Sequence, residues 1–514
     1  MLINQVVRGA CDVEPGVPAF VALDGREVRF GEFGAAVRRV AGAISVFAPR
    51  PGACIGILAL NSIRYLEAYF GAMWAGRVAV PLNVRWSLAE LVYALADAGV
   101  EVLFVDEQFA SLVPDLRAGA PRIRYVVYLG EHGTPVGLVP YADLEASEPV
   151  DAASVAADTV ASVVYTGGTT AFPKGVMHTQ GSLLASAMNC VALGTPPRET
   201  RYALAMPLFH VGGYALAAAQ LLQRGTVVVL PLFKPDLVRR AVRERGAEYV
   251  GLVPTMLGML MDAEGFDAAD YRHLRGFAYG ASPIPAALLQ RAMETFPHAS
   301  FTQVYGMTEV GVVAMLHDRW HRGSNASIAA TGQPGPFYSV SIVDADGREL
   351  PRGQMGELVI RGPGVMRGYL NQPEATAEAL RDGGMHSGDA GIIDAAGVVT
   401  LLDRVKDMIV TGAENVYSVE VESAVSQHPS VAQCAVIGVP DARYGERVHA
   451  VVVLRAGTTL TLEELRAHCA RLVAGYKCPR SLEVREVLPL SALGKVLKSE
   501  LREPHWQGHA RRVN

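Results

Sequence analysis

The sequence has 514 residues, half of them hydrophobic, and its 46 Lys and Arg residues against 51 Asp and Glu residues give a net charge of −5. A chain of this length exceeds a single hydrophobic core of up to about 300 residues, so two or three domains are expected, and its hydrophobic fraction excludes wholesale disorder. The near balance of charges offers no broad electrostatic surface for nucleic acid or anionic lipid.

The cysteine pattern and the lengths of the apolar runs indicate the cellular compartment. The six cysteines are scattered without a Cys-x-x-Cys pair, which fits neither a disulfide scaffold nor a zinc ribbon and favours a reducing cytoplasm. The first residues lack a basic region followed by an apolar stretch, so no secretory signal is expected. The longest apolar runs, such as 214–222, fall short of the roughly 20 residues that a bilayer span needs. These features predict a soluble cytoplasmic protein.

Short β-branched runs alternate with longer helical patterns through most of the chain. Strands are predicted at 54–60, 78–80, 102–105, 161–165, 226–230 and 249–253. Helices are predicted at 62–74, at 88–95 and from about 179. Such alternation is typical of parallel sheets covered by helices on both faces. The sequence therefore predicts an α/β fold for a large N-terminal domain, 1–403.

The pattern changes twice in the last third of the chain. Near Ser339 it becomes short strands, and Asp346-Gly347 suits a hairpin turn, so a small β-rich unit is predicted over about 335–403. Residues 404–407 are expected to form a hinge to a smaller α+β domain, 408–514. Its predicted elements are helices at 419–426 and 462–472 and strands at 431–437, 448–454 and 483–487. A frayed tail is expected from Glu503 onward.

The sharpest local motif is a glycine- and threonine-rich segment that ends at Lys174 and follows a predicted strand. Glycines let the backbone approach an anion, threonine hydroxyls donate to phosphate oxygens, and the lysine adds a positive charge. The motif does not fit the P-loop rule G-x-x-x-x-G-K-[ST], because Pro173 precedes the lysine and Gly175 follows it. A surface turn is the alternative interpretation. The residues expected to contact phosphate are Thr166, Gly167, Gly168, Thr169, Thr170 and Lys174.

The segment from Tyr165 to Gly175 resembles the signature Y-T-S-G-T-T-G-x-P-K-G of adenylate-forming enzymes, the superfamily of acyl-CoA synthetases, peptide-synthetase adenylation domains and beetle luciferase. Gly167 and Ala171 depart from the signature's serine and glycine. Further blocks follow in the family's order: Pro207-Leu-Phe-His210, Gly280-Ala-Ser-Pro283, Tyr305-Gly-Met-Thr-Glu309, Ser387-Gly-Asp389, Asp403-Arg-Val-Lys-Asp407, Gly412-Ala-Glu-Asn415 and Gly494-Lys495. The resemblance covers nearly the whole chain. It implies a large domain of layered α/β sheets with a β-rich unit, followed by a smaller mobile α+β domain.

Members of this family convert ATP and a carboxylate into acyl-AMP and pyrophosphate, and a thiol, often that of CoA, then displaces AMP. The carboxylate has to approach an anionic α-phosphate, so a cation must neutralise the developing charge. The resemblance therefore implies an acyl-CoA synthetase that uses ATP, Mg²⁺ and CoA. An enzyme that loads a carrier-protein phosphopantetheine, a luciferase-like oxygenase and a non-catalytic nucleotide-binding protein are the alternatives.

The resemblance also implies residue roles. Glu309 would ligate Mg²⁺, Thr308 would bond the adenylate phosphate, and Lys495 would bridge the carboxylate and the phosphate. Asp389 and Arg404 would hold the ribose hydroxyls. Gly280 and Ala281 would lie against the adenine face, with Tyr305 stacked on the base, and Ser282 and Gly306 would also belong to the ATP/AMP-binding residues. The alternatives are a solvated loop position for Glu309, a turn for Asp389 and a half-buried core position for Tyr305.

The remaining implied roles concern domain motion and the acyl group. Rotation about Lys406 would exchange Lys495 for a loop that serves the thiol step, formed by Gly412, Glu414 and Asn415. His210 would gate the acyl pocket, although a satisfied core histidine is the alternative. No acidic residue lies at 209–214 to pair an ammonium, which favours a fatty or aryl acid over an amino acid. The predicted pocket residues are His210, Val211, Gly212, Tyr214, Val253, Gly280, Gly306, Met307, Gly311 and Val312, whose glycines either widen the pocket or serve backbone turns.

Overall fold

The structure is a computed structural model that describes residues 2–166, 173–322, 330–404, 407–411, 414–490 and 496–507, without the side chains of Ala10 and Asn415. Among the described residues, the strands form four sheets of nine, eight, four and five strands. None of the helices in these ranges is both long enough and apolar enough to cross a bilayer.

The secondary structure alternates between strand and helix as far as residue 316. The elements up to residue 166 are α1 (Asn4–Val13), β1 (Pro18–Ala22), β2 (Glu27–Arg29), α2 (Phe30–Phe47), β3 (Cys54–Leu58), α3 (Ile63–Trp74), β4 (Val78–Pro81), α4 (Leu88–Asp97), β5 (Val100–Val105), α5 (Val113–Gly119), β6 (Tyr125–Tyr128), β7 (Val139–Pro140), α6 (Tyr141–Glu145) and β8 (Val160–Thr166). The next are β9 (Lys174–Thr179), α7 (Gln180–Ala192), β10 (Arg201–Leu204), α8 (Val211–Leu222), β11 (Thr226–Val229), α9 (Pro235–Arg245), β12 (Tyr249–Leu252), α10 (Pro254–Met261), β13 (Gly276–Gly280), α11 (Ala286–Thr295), β14 (Ser300–Met307) and β15 (Gly311–Leu316).

The rest of the chain is richer in strands. Its elements are β16 (Gln333–Pro334), β17 (Ser339–Val343), β18 (Met355–Arg361), β19 (Gly368–Tyr369), α12 (Pro373–Ala379), β20 (Met385–Ile393), β21 (Val399–Arg404), β22 (Ile409–Thr411), β23 (Glu414–Val416), α13 (Ser418–Ser426), β24 (Val431–Asp441), β25 (Gly445–Leu454), α14 (Leu462–Cys469), β26 (Ser481–Val484) and α15 (Lys498–Trp506). Short 3-10 helices lie at Ala110–Leu112, Ala268–Tyr271, Asp318–Trp320 and Gly475–Lys477.

The two large sheets are parallel in their centres, and their edges are antiparallel except at β7, which runs parallel to β6. The nine-stranded sheet has the order β16-β15-β14-β13-β12-β10-β11-β1-β2, and the eight-stranded sheet has the order β19-β9-β8-β4-β3-β5-β6-β7. β3, β4, β5 and β8 run parallel to one another, whereas β9 runs antiparallel to β8, with Thr166 opposite Lys174. The glycine-rich segment therefore connects two antiparallel strands, where the sequence predicted a strand followed by a helix.

The largest hydrophobic core lies between these two sheets and contains residues of α2, α3, α7 and α8. α3 begins where the sequence predicts, because the Ser62 hydroxyl accepts a hydrogen bond from the Tyr65 N–H and caps the helix. Phe70 of α3 packs edge-on against Phe33 of α2 at 5.8 Å between ring centroids, and Trp74 is fully buried. Truncating an aromatic side chain in such a position costs about 3–5 kcal/mol.

The two smaller sheets belong to the last third of the chain. β17, β18, β20 and β21 form the four-stranded antiparallel sheet, in agreement with the predicted β-rich unit. The five-stranded sheet has the order β23-β22-β25-β24, with β26 parallel to β25, and α13, α14 and α15 pack on it. The predicted fold class, a large α/β domain with a β-rich unit followed by a smaller α+β domain, is confirmed. The domain boundaries stay a prediction.

Two sequence predictions near the C-terminus were wrong in extent. The strand predicted at 483–487 corresponds to β26, the last strand in the described part of the chain, which begins earlier, at Ser481, and ends at Val484. The expected tail from Glu503 is helical as far as Trp506, because Leu501 is fully buried and the Trp506 indole N–H donates to the Gly438 carbonyl at 3.0 Å. The remainder of the predicted tail, 508–514, lies outside the described residues.

Candidate functional site

The end of β14 and the first residues of the turn to β15, which together we call the 305–309 turn, carry five predicted site residues: Tyr305, Gly306, Met307, Thr308 and Glu309. Both Tyr305 and Glu309 are buried although they flank a chain reversal. The reversal is tight: a Cβ atom on Gly306 would lie 2.1 Å from the carbonyl oxygen of Gly311, and Gly311 itself has a φ of +70°. The Glu309 carbonyl accepts a hydrogen bond from the Met366 N–H at 2.7 Å, which fixes the end of the turn.

On one side of the 305–309 turn, an ion pair contacts Tyr305. Asp389 and Arg404 are paired across β20 and β21, and the Arg404 Nε lies 2.8 Å from Asp389 Oδ1. The Tyr305 hydroxyl donates to Asp389 Oδ2 at 2.8 Å. Burial is the largest single influence and lowers the pKa of Arg404, but Asp389 together with Tyr305, Glu309 and Asp407 outweighs it, so the pKa of Arg404 is raised. Asp389 is thus a buried strand residue, which removes the interpretation of it as a turn residue.

On the other side of the turn, Glu309 contacts an aromatic residue that the sequence analysis missed. The Tyr369 hydroxyl donates to Glu309 Oε1 at 2.8 Å, and the Lys174 Nζ lies 5.0 Å from the centroid of the Tyr369 ring. β19 and β9 are neighbours, which places Tyr369 beside the strand that begins with Lys174. Burial and the Glu309 carboxylate both raise the pKa of Tyr369, so it remains a hydrogen-bond donor. Glu309 is therefore not a solvated loop residue.

A second residue missed by the sequence analysis, His178, supports the backbone of the turn. Its Nε2 lies 2.7 Å from the Thr308 carbonyl oxygen, and its Nδ1 lies 3.2 Å from the Ser182 hydroxyl. Burial lowers the pKa of His178 to about 4, so the ring is neutral at pH 7. Because a carbonyl can only accept, Nε2 carries the proton and Nδ1 accepts from the serine. The sequence contained one signal for this position of His178. Side chains alternate between the two faces of a strand, so His178 and Lys174, four residues apart in β9, lie on the same face.

His210 lies immediately before α8, and one of its ring nitrogens has no hydrogen-bond partner in the part of the chain that the structure describes. Its ring is 4.4 Å from that of Phe209, and its Nε2 is buried and makes no hydrogen bond to any described residue. Burial, and then the nearby positive charge of Arg85, lower the pKa of His210 to about 3. The imidazole is therefore neutral at pH 7. It is not the satisfied core histidine of the alternative interpretation.

The predicted pocket residues divide into buried core positions and close backbone contacts. Tyr214 lies in the core, 5.0 Å from the ring of Tyr69. A Cβ atom on Gly280 would lie 2.1 Å from the Val304 carbonyl oxygen, so close packing is sufficient to require glycine here. The same is true of Gly306 and Gly311. Gly212 has ordinary clearance, with a Met206 carbon at 3.6 Å. The other members vary in burial: Val211, Val253 and Val312 are buried and Met307 is half-buried.

The predicted ATP/AMP-binding residues of segments 280–282 and 305–306 lie at, or directly after, the carboxyl ends of β13 and β14. These strands are parallel, with Gly280 opposite Val304, so Ala281 and Ser282 leave the sheet beside Tyr305. Ala281 is exposed and has a φ of +67°. Ligands of open α/β sheets bind at this carboxyl edge of the strands.

The remaining predicted residues lie partly within and partly outside the described ranges. Thr166 is described, half-buried at the end of β8, and Glu414 is exposed at the start of β23. The backbone of Asn415 is described without its side chain. The predicted residues that lie outside the described ranges are Gly167, Gly168, Thr169, Thr170, Lys406, Gly412 and Lys495.

Comparison with known proteins identifies the family. The model of the AMP-binding enzymes matches residues 7–370, and the model of the AMP-binding enzyme C-terminal domain matches residues 420–495. A feruloyl-CoA synthase of an Amycolatopsis species is 38% identical over 479 residues, which cover 93% of this chain and 94% of that protein. The fatty acid–[acyl-carrier-protein] ligase ScoC of Streptomyces coeruleorubidus is 34% identical over 512 residues, which cover 98% and 96%.

Solved structures agree with this result. The crystal structure of ATP-bound MatB from Rhodopseudomonas palustris superposes with a TM-score of 0.88 at 30% identity, covering 99% of this chain and 100% of that one. The resemblance drawn from the ordered motifs is thus confirmed, and so is the prediction of an enzyme. The chain belongs to the family of AMP-binding enzymes, the adenylate-forming superfamily.

Proposed function

We propose that this enzyme activates a fatty or aromatic carboxylic acid with ATP and transfers the acyl group to the thiol of CoA. One observation carries the proposal: the 305–309 turn contacts the Asp389–Arg404 ion pair through Tyr305 and the Tyr369–Lys174 pair through Glu309. A nucleotide needs one group for its ribose hydroxyls and another for its phosphates, and the turn brings both kinds of group together.

The reaction consists of two displacements. A carboxylate oxygen of the acid attacks the α-phosphorus of ATP, the bond to the β-phosphate oxygen breaks, and pyrophosphate leaves. The thiol sulfur then attacks the carbonyl carbon of the acyl-AMP, the thiol proton is released, and AMP leaves with the electrons of the broken C–O bond. Lys174 and Lys495 would supply positive charge during the first step, when anionic groups approach each other.

Glu309 is the residue that would hold Mg²⁺. The Tyr369 hydroxyl binds Oε1, and Oε2 has no hydrogen bond to a described residue. Magnesium commonly takes one or two protein carboxylates and completes its shell with phosphate oxygens and water, so one buried carboxylate fits the requirement. When bound, the ion would neutralise charge on the phosphates. Thr308, whose carbonyl His178 fixes, would donate its hydroxyl to the adenylate phosphate.

The surroundings of His210 favour an acid without an amino group. Its imidazole is neutral at pH 7, its Nε2 has no hydrogen-bond partner among the described residues, and the first turn of α8 contains no acidic residue. A substrate ammonium would lose its hydration there without gaining a counter-ion, which costs several kcal/mol. The feruloyl-CoA synthase and ScoC extend this argument, because their names specify an aromatic acid and a fatty acid.

The acceptor has one specific alternative. ScoC is named as a ligase of an acyl carrier protein, and this chain is similar to it over almost its whole length. Transfer to a carrier-protein phosphopantetheine is therefore the second candidate function, with the same thiol chemistry. In both cases, rotation of 408–514 about Lys406 would exchange Lys495 for the loop of Gly412, Glu414 and Asn415. A cytoplasmic location is part of this proposal.

The test is an activity matrix of acids against thiols. Purified protein is supplied with ATP, Mg²⁺ and each of several fatty, aromatic and amino acids, with CoA, a phosphopantetheinylated carrier protein or no thiol. We expect acid-dependent pyrophosphate release, AMP rather than ADP as the nucleotide product, and a CoA thioester for fatty or aromatic acids. Formation of ADP, or no adenylate with any acid, would refute the proposal. A thioester on the carrier protein alone would establish the second candidate.

A further inference from the structure

Three metal-ligating side chains meet in the C-terminal sheet, outside the site described above. They are His449 of β25, Glu483 of β26 and His505 of α15, and their potential ligand atoms all lie within 4.8 Å of one another. Glu483 Oε2 lies 3.5 Å from His449 Nε2 and 3.7 Å from His505 Nε2. We call these three residues the 449/483/505 cluster.

The fold itself brings these residues together. β25 and β26 are parallel, with His449 opposite Ser481 and Val451 opposite Glu483. Because side chains alternate along a strand, His449 and Glu483 project from the same face of the sheet. His505 follows Leu501 by four residues, so both lie on the side of α15 that packs on the sheet, where Leu501 is fully buried.

The end of α15 is anchored next to the cluster. The Trp506 indole N–H, one residue beyond His505, donates to the Gly438 carbonyl of β24. His505 therefore lies at the end of α15, which the hydrogen bond from Trp506 holds against the sheet. All three residues lie on strands of this sheet or on the helix that packs on it. The positions of their side chains are therefore set by the fold before any ion binds.

The spacing within the cluster fits a tetrahedral ion. Zinc binds imidazole nitrogen at about 2.0–2.1 Å and carboxylate oxygen at about 2.0–2.2 Å, so neighbouring ligand atoms of a tetrahedral site lie about 3.4 Å apart. Neighbouring ligands of an octahedral site with similar bonds would lie about 3.0 Å apart. The separations of 3.5 and 3.7 Å are closer to the tetrahedral value.

Hydrogen bonds around the cluster direct the ligand atoms inward. The Ser481 hydroxyl lies 2.7 Å from His449 Nδ1, which leaves Nε2 to face the carboxylate. Arg485 Nε binds the other oxygen of Glu483, Oε1, at 2.5 Å, which leaves Oε2 to face both histidines. Partners of this kind, which fix the tautomer and the orientation of the ligands, are a regular feature of metal sites.

Solvent access completes the requirements for a site. Only 6% of the His449 side chain is exposed, whereas Glu483 and His505 are each 31% exposed. An ion can therefore enter from the solvent side, and water can supply the fourth ligand. We propose that His449, Glu483 and His505 bind one Zn²⁺ ion, which joins the C-terminal helix α15 to strands β25 and β26.

The experiment measures zinc binding by the full-length protein without an affinity tag, after removal of metals with a chelator. Zinc is titrated in competition with a chromophoric chelator, and Co²⁺ is used as a spectroscopic probe of the coordination geometry. We expect one Zn²⁺ per chain and the intense visible absorption of tetrahedral cobalt. His505→Ala and Glu483→Gln should each weaken zinc binding at least ~100-fold, and Ser481→Ala, which removes an outer partner, about 10-fold or more.

His428→Ala is the matched control. It removes a histidine from the same domain that also neighbours another histidine, His468, at 5.1 Å between ring centroids. This variant should bind zinc like the unmodified protein. Circular dichroism of the metal-free variants checks folding, and His505→Ala, near the end of α15, keeps the test valid if Glu483→Gln does not fold. Failure to bind stoichiometric zinc, unchanged affinity in His505→Ala, or an octahedral cobalt spectrum would overturn the proposal.

Discussion

Two ion pairs of almost equal length, one buried at the candidate site and one exposed, can be compared to measure how burial changes the contribution of an ion pair to stability. Arg404 Nε lies 2.8 Å from Asp389 Oδ1, and Arg348 lies 2.7 Å from Asp346 in a surface turn. The side chains of the first pair are 33% and 10% exposed, whereas those of the second are 76% and 67% exposed. Asp389→Asn and Asp346→Asn make the same chemical change in these two environments.

The expected loss differs because water screens only the second pair. Asp389 makes two charge-assisted bonds, an ion pair with Arg404 and a hydrogen bond that it accepts from Tyr305. Such bonds contribute about 1.5–3 kcal/mol each, and neutral bonds contribute about 0.5–1.5 kcal/mol, so converting both should cost about 2 kcal/mol. The exposed Asp346–Arg348 pair should contribute less than about 0.5 kcal/mol. One third of the Arg404 side chain is exposed, so water solvates its charge when the partner carboxylate is removed. The loss of stability in Asp389→Asn should therefore stay at about 2 kcal/mol.

Urea unfolding at pH 7 measures both variants against the unmodified protein. We expect the free energy of unfolding to fall by about 2 kcal/mol in Asp389→Asn and to change little in Asp346→Asn. The KM for ATP should rise about tenfold or more in Asp389→Asn alone, because the proposed ribose contact loses its charge. Equal stability losses in the two variants would refute the reasoning from burial. An unchanged KM for ATP would refute the proposed contact with ribose.

Three further predictions address the phosphate side of the site. Tyr369→Phe removes the hydroxyl that positions Glu309 and keeps the ring near Lys174, so the Mg²⁺ concentration for half-maximal pyrophosphate release should rise about tenfold; an unchanged Mg²⁺ dependence would contradict this. Stability should fall by about 3 kcal/mol from pH 6.5 to pH 4 through His178 alone, because its pKa is lowered to about 4 and the unfolded chain binds the proton first. Urea midpoints of His178→Gln should show a correspondingly weaker pH dependence. Lys495→Ala should abolish acyl-AMP formation but largely spare thioester formation from supplied acyl-AMP, and equal loss of both half-reactions would disprove that role.

Local patterns in the sequence were sufficient for most of the fold. α3 follows from its serine cap and its helical spacing of aromatic residues, and the buried strands follow from their short β-branched runs. The orientation of β9 could not be predicted in this way, because hydrophobic alternation is the same in parallel and antiparallel strands. The end of α15 was also beyond local patterns, since a single long-range bond from Trp506 to Gly438 holds it.

Site residues could be predicted from the sequence only where they lie within a motif that identifies them. The motifs identified Glu309, Asp389 and Arg404 from the resemblance, but they could not show which side chains would contact them. Tyr369 lies 60 residues from Glu309 in the chain and meets it only because β19 pairs with β9. His178 reaches the Thr308 carbonyl across 130 residues. Contacts of this range depend on strand order, which the sequence pattern alone does not determine.

The two buried carboxylates of the site differ in what they have left to bind. Each accepts a hydrogen bond from a tyrosine, Asp389 from Tyr305 and Glu309 from Tyr369. Asp389 uses its second oxygen for Arg404, so its charge is already balanced before a nucleotide arrives. Glu309 Oε2 has no hydrogen bond to a described residue, and a buried carboxylate with an unused oxygen attracts a cation. The two carboxylates that contact or belong to the 305–309 turn are therefore suited to the two proposed tasks, Asp389 as a neutralised hydrogen-bond acceptor for hydroxyl groups and Glu309 as a ligand for a metal ion that arrives with the phosphates.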